Sequence, residues 1–202
     1  DHIRLFILIK KEGTFIMTST SAVSNRSSVQ ALTATAMFTA VLSVLSILQI
    51  PMPSGVPITL QTFAVALCGY MLGARRGTVC VALYLLLGII GLPVFTGMTA
   101  GIGRIFGFTG GFLYGFLPLA LLCGAGVRAS NKLLALLPGI LGLALCHFFG
   151  TAHYSAVADC GILQAFLLVS LPYLVKDILS VAGALAVSVV LKKTMNRAGI
   201  TL

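Results

Sequence analysis

The sequence predicts an all-α integral membrane protein, a bundle of six transmembrane helices. Three observations lead there. The 202 residues are 58% hydrophobic and 8% charged, with a mean hydropathy of +1.09, whereas a soluble domain carries about 25% charged residues. Apolar segments recur as far as the C-terminus, a pattern no secretory signal produces. Positive charge falls in alternate connections between those segments, as expected when one side of a membrane retains Lys and Arg.

The elements follow in order. Residues 1–28, with "DHIRLFILIKKEGTFIM" leading into a polar "TSTSAVSNRSS", are set apart as a poorly ordered N-terminal extension in which Met17 could be the natural start. Residues 29–202 form a single membrane domain. A spanning helix needs roughly 20 apolar residues, and six segments qualify: 31–50, 58–73, 77–95, 110–127, 133–149 and 172–191. The second is short. Segment 161–171 is also apolar and breaks at Pro172, which suits a surface or re-entrant piece.

Charge tests that division independently. Arg75 and Arg76 lie between segments two and three, Arg128 and Lys132 between four and five, and Lys192, Lys193 and Arg197 after the sixth. Six spans put these groups on one side, the cytoplasmic side, with both termini. The opposite connections carry one basic residue, Arg104. The formal net charge of +9 thus reads as topology, and nucleic acid is not expected as a partner. The glycine-rich stretch Gly91–Phe116 becomes an outward-facing loop with its ends inside two helices. Irregular backbone at that depth needs a protein-lined or wet cavity.

An ionisable group within a span costs about 2.5–3.5 kcal/mol and needs a reason. Lys176, Asp177 and His147 are the three. Lys176 and Asp177 fall about 6–8 Å below the outer end of the sixth helix. As neighbours they point about 100° apart, so no pairing between them is expected. With Tyr173 and Ser180 they form a polar stripe. An outward-facing pocket under the glycine loop follows, with Asp177 accepting hydrogen bonds from a ligand and Lys176 or Arg104 neutralising an anionic group on it. Tyr84, Phe112, Tyr114 and Tyr173 supply aromatic walls.

Other chemistry finds little support. His147 and His153 bracket "HFFGTAH" at a spacing that suits no metal site, and they read as a core histidine and a loop histidine. The five cysteines show no CxxC and read as packing. No Ser, His and acid are placed for nucleophilic catalysis, no nucleotide motif is present, and no cofactor is expected. On the first helix "TATAMFTAVLSVLS" puts Ala36, Ala40 and Ser43 on one face, where small residues permit close helix approach.

Several segments together resemble a known family. "VPITLQTFAV" with its Gln61, the "GLPVF" entry to the glycine loop, "GFTGGFLYGF" and "LPYLVKDIL" are similar, in order and spacing over residues 30–191, to the BioY family. Its members are the biotin-binding substrate (S) components of energy-coupling factor (ECF) transporters. The resemblance implies the six-helix S-component fold in a bacterial cytoplasmic membrane. It also implies a biotin pocket near the outer surface lined by Asp177, Lys176, Arg104, Tyr173, Gln61, Thr96, Thr109 and Tyr84. It implies docking through Ala36 and Ala40 to a transmembrane coupling subunit that rests on two ABC-type ATPases, so that ATP is hydrolysed outside this chain. Two departures stand out: GPTGGY is here Gly107-Phe108-Thr109-Gly110-Gly111-Phe112, and Ser180 occupies the place where lysine is common after the aspartate. An S component for another vitamin or a lipoate-like acid is the alternative; a membrane-embedded enzyme or a subunit without a ligand fits less well.

Overall fold

Helices account for almost all of the regular structure. The computed structural model describes residues 20–198 apart from 54 and 130, so residues 1–19 of the expected extension lie outside the described residues. Helix α1 (Thr20–Ile47) begins inside the last part of that extension. Three of its hydroxyls are satisfied within the helix itself: Thr35, Thr39 and Ser46 donate to the carbonyls of Ala31, Thr35 and Leu42 at 2.7–2.8 Å. Such back-bonding lets polar side chains sit in an apolar bundle. The predicted first span overran by three residues. Pro51 holds Ile50 extended, and strand β1 (Gln49–Ile50) pairs antiparallel with β2 (Ile58–Thr59), Gln49 opposite Thr59.

Helix α2 (Gln61–Ile89) contains a reversal. Gly73 has φ 79° and ψ 174°, a conformation that costs L-residues dearly and glycine little. Its two limbs, 61–72 and 74–89, fold back on each other. Cys68 and Cys80 have sulfurs 3.5 Å apart, although twelve residues of straight helix would separate them by about 18 Å. These limbs correspond to the second and third predicted spans.

After the glycine loop and the one-turn α3 (Gly103–Phe106) come α4 (Gly110–Gly126) and α5 (Lys132–Val157). Asn131 caps α5 by accepting from the Leu133 amide at 3.1 Å. Helix α5 runs eight residues beyond its predicted end, so His153 lies on a helix and not in a loop. The apolar segment after it forms α6 (Ile162–Val169), and α7 (Leu171–Arg197) opens with Pro172 in its first turn.

Among the described residues four helices, namely α1 from Val29, α2, α5 and α7, are long and apolar enough to cross a membrane, and α4 is a shorter apolar helix. The main core lies between α2, α4 and α5 around Tyr70, Tyr84 and Leu119, with Leu42 of α1 and Val181 of α7 joining it. Connectivity then sorts the two ends of the bundle. The strands, the glycine loop, α3, α6 and the start of α7 gather at one end. Arg75, Arg76, Arg128, Lys132 and the last turns of α7 lie at the other.

Candidate functional site

Three residues of α7 build one wall of a cavity at the strand-bearing end. Tyr173, Lys176 and Asp177 are spaced i, i+3, i+4 and so share a helix face. The Tyr173 hydroxyl donates to the carbonyl of Val56, and Lys176 Nζ donates to the carbonyl of Thr59 at 3.1 Å. Both bonds fasten the 48–60 segment to α7. Ser180 drops out of the expected stripe, because its hydroxyl is spent on the Lys176 carbonyl one turn back.

Lys176 and Asp177 do pair, against expectation, with Nζ 2.5 Å from Oδ1. Their Cβ vectors diverge, but the four-carbon lysine stem is long enough to bring the ammonium back over its neighbour. The ammonium occupies one lone-pair site of Oδ1, and the second site can still accept. The other oxygen, Oδ2, lies 3.3 Å from His147 Nε2 on α5, and the Thr62 hydroxyl faces the same carboxylate. Asp177 is 5% exposed. A carboxylate so buried needs partners of this kind.

The opposite wall comes from α2, the glycine loop and α4. Gln61 at the start of α2 donates from Nε2 to the Tyr84 hydroxyl at 2.6 Å. Its Oε1 accepts from Thr96 at 3.3 Å. Phe95, Thr99, Arg104, Thr109, Phe112, Leu113 and Phe116 complete the lining with Val56, Pro57, Thr59 and Val169. Arg104 is half-buried on α3 and makes no ion pair among the described residues. The loop that carries it is held from below: Tyr114 donates to the Ile105 carbonyl at 2.9 Å, and His153 Nε2 meets the Gly107 carbonyl at 3.0 Å.

The cavity therefore brings together Asp177, Lys176, Arg104, Tyr173, Gln61, Thr96 and Thr109. Tyr84 stands behind Gln61, fully buried and edge-on to Phe95, and does not line the space. Tyr114 is likewise no wall, since its hydroxyl ties down the loop. Phe112 is, with its ring edge-on to His147 at 5.8 Å. On α1, Ala36 and Ala40 are exposed on the outer face of the bundle, whereas Ser43 is buried and turns inward. His147 is the residue that sequence reasoning undervalued. Its charge-capable ring within a span was the available signal, but spacing along one helix reveals nothing about a partner on another.

Comparison with known proteins fits this geometry. The family model described as the BioY family matches residues 17–197. A probable biotin transporter BioY of Pyrococcus horikoshii is 36% identical over 133 residues, which is 66% of this chain and 78% of that protein. Biotin transporter BioY2 of Lactococcus lactis is 45% identical over 122 residues, 59% of this chain and 66% of that one. Among solved structures, the S-component for biotin from an ECF-type ABC transporter superposes with a TM-score of 0.77 at 28% identity. That match covers 84% of this chain and 94% of the other. The chain is a multi-pass, all-helical membrane protein, and it belongs to the BioY family.

Proposed function

We propose that the protein captures biotin from outside the cell as the substrate-binding subunit of an ECF-type transporter. The observation that carries this reading is Asp177. Its Oδ2 is engaged by His147, and its Oδ1, paired with Lys176, keeps a second lone-pair site at the wall of a cavity that also holds Arg104. Biotin presents N–H donors at its ureido ring and a carboxylate at the end of an apolar chain. The ureido ring donates to Asp177 Oδ1, the carboxylate meets Arg104, and the ring and chain lie against Phe112, Phe116 and Val169. Lys176 is already committed to Asp177 and Thr59, which leaves Arg104 as the cation for the ligand.

In this reading α1, the two limbs of α2, α4, α5 and α7 make six crossings. The basic end faces the cytoplasm with both termini, and the cavity faces outward. The exposed Ala36 and Ala40 dock a transmembrane coupling subunit carried by two ABC-type ATPases, which hydrolyse the ATP. Equilibrium binding of radiolabelled biotin to the purified protein in detergent tests the core of it. Saturable binding displaced by cold biotin and not by lipoate or thiamine is expected; no binding by folded protein would overturn it.

A further inference from the structure

Behind the cavity wall a buried chain of side chains leads away from Asp177. Asp177 Oδ2 lies 3.3 Å from His147 Nε2, His147 Nδ1 lies 3.1 Å from Ser170 Oγ, and Ser170 Oγ lies 2.7 Å from Thr151 Oγ1. His147, Ser170 and Thr151 are 5%, 0% and 6% exposed. The geometry points to His147 as the positioning residue of this site: a neutral imidazole, protonated at Nε2, that aims the Asp177 carboxylate at the ligand. The inference rests on the reading of Asp177 as the ligand's acceptor.

Proton accounting supports that tautomer. Asp177 can only accept while ionised, so the ring proton facing it belongs on Nε2. Nδ1 is then an acceptor and takes the single hydroxyl proton of Ser170, whose oxygen accepts in turn from Thr151. Each donor from Nε2 to the Thr151 hydroxyl is then used, as a buried network requires. The groups meeting His147 are Asp177 from α7, the Ser170 hydroxyl before it and the Phe112 edge from α4, with Thr151 of its own helix behind Ser170.

The consequence for recognition is directional. One carboxylate oxygen is held by a ring whose orientation is fixed from three elements, α5, the start of α7 and α4. The other oxygen is thereby presented to the cavity at a fixed angle. A donor on the ligand then finds an acceptor already in place, which reduces what binding must order. Ser170 and Thr151 act one step further back, through the ring.

Two substitutions separate positioning from mere filling. In His147→Gln the side-chain amide nitrogen reaches the place of Nε2 and can still donate to Asp177. In His147→Asn the shorter amide reaches only toward Ser170. Biotin affinity should fall about 10–100-fold in His147→Asn, the range known for partners that orient metal-binding side chains, and stay within about threefold of the parent in His147→Gln. The loss should vanish in an Asp177→Asn background, because His147 acts through that carboxylate. Equal losses in the Gln and Asn variants, or a loss that persists beside Asp177→Asn, would overturn the role. Independently of biotin, nitrogen NMR of histidine-labelled protein should show His147 neutral with the proton on Nε2. A ring protonated on Nδ1 would overturn the inference even if biotin binds, and failure of the parent protein to bind biotin would sink the proposed function while the ring's state remained measurable.

Discussion

The α4–α5 seam and the seat of α7 hold helices together in different ways. Along the seam, glycines bring backbones into direct contact. A Cβ on Gly115 would lie 2.6 Å from the Cys146 Cα, and one on Gly142 would lie 2.9 Å from the Leu119 Cα. Van der Waals packing between small residues is the main force available to helices in lipid. Helix α7 has only 22% of its apolar window buried, against 39% for α5. Its buried face is the narrow line Tyr173, Asp177, Val181, Ala184 and Ser188. At its cavity end the fastening is polar, through Val56, Thr59 and His147. The seam is a rigid scaffold, and the cavity is assembled where that scaffold meets a helix attached by side chains that a ligand can also engage.

The sharpest way to break that contrast is Gly115→Leu. No rotamer of the new side chain avoids the Cys146 backbone, and overpacking of this kind costs about 1–3 kcal/mol or more. The expected result is loss of monodisperse, folded protein in detergent, read by size exclusion and thermal unfolding. Asp177→Ala should leave the seam intact and strike the site. It strands Lys176 and His147 and removes the ligand's acceptor, so biotin affinity should drop by about 1–3 kcal/mol, or roughly 5–150-fold. An unchanged dissociation constant would remove Asp177 from the site.

Arg104→Ala tests the loop side of the cavity. A charge-assisted hydrogen bond is worth about 1.5 kcal/mol at the low end, so about a tenfold loss of affinity is expected with no change in thermal stability. The loss should shrink for biotin amide, which lacks the carboxylate; an equal loss for acid and amide would assign Arg104 elsewhere. Ala36→Leu should have the smallest effect on the isolated protein, within about 0.5 kcal/mol, because the residue is exposed on α1. Biotin uptake by cells supplying the partner subunits should nevertheless fall. Uptake at the parental rate would place the docking face on another helix.

Much of the site was legible from residue types. A carboxylate and a lysine in a span are expensive, and Thr96, Arg104 and Thr109 sit in a stretch whose glycines rule out simple helix. What misled was the treatment of each helix as a separate object. Lys176 and Asp177 were read as unable to pair because their directions diverge at Cβ, although the lysine head returns. Aromatic residues suit a pocket, and on sequence alone that makes walls of Tyr84 and Tyr114. Each in fact has its hydroxyl bonded inside the structure, to Gln61 and to the Ile105 carbonyl.

Hydropathy and charge along the chain determined the membrane class, the apolar segments and the basic end, because transfer from water to lipid depends on composition over about 20 residues and hardly on neighbours. The prolines at 51 and 57 and the glycine at 73 also marked where helices stop or turn, through local backbone sterics. Tertiary structure alone decided that the two limbs of α2 close on each other, that residues 49–50 and 58–59 pair as strands, and that Asp177 faces His147. Those outcomes depend on contacts between residues distant in sequence. For Asp177 and His147, 30 positions apart, only the packing of α5 against α7 brings a donor to the buried oxygen.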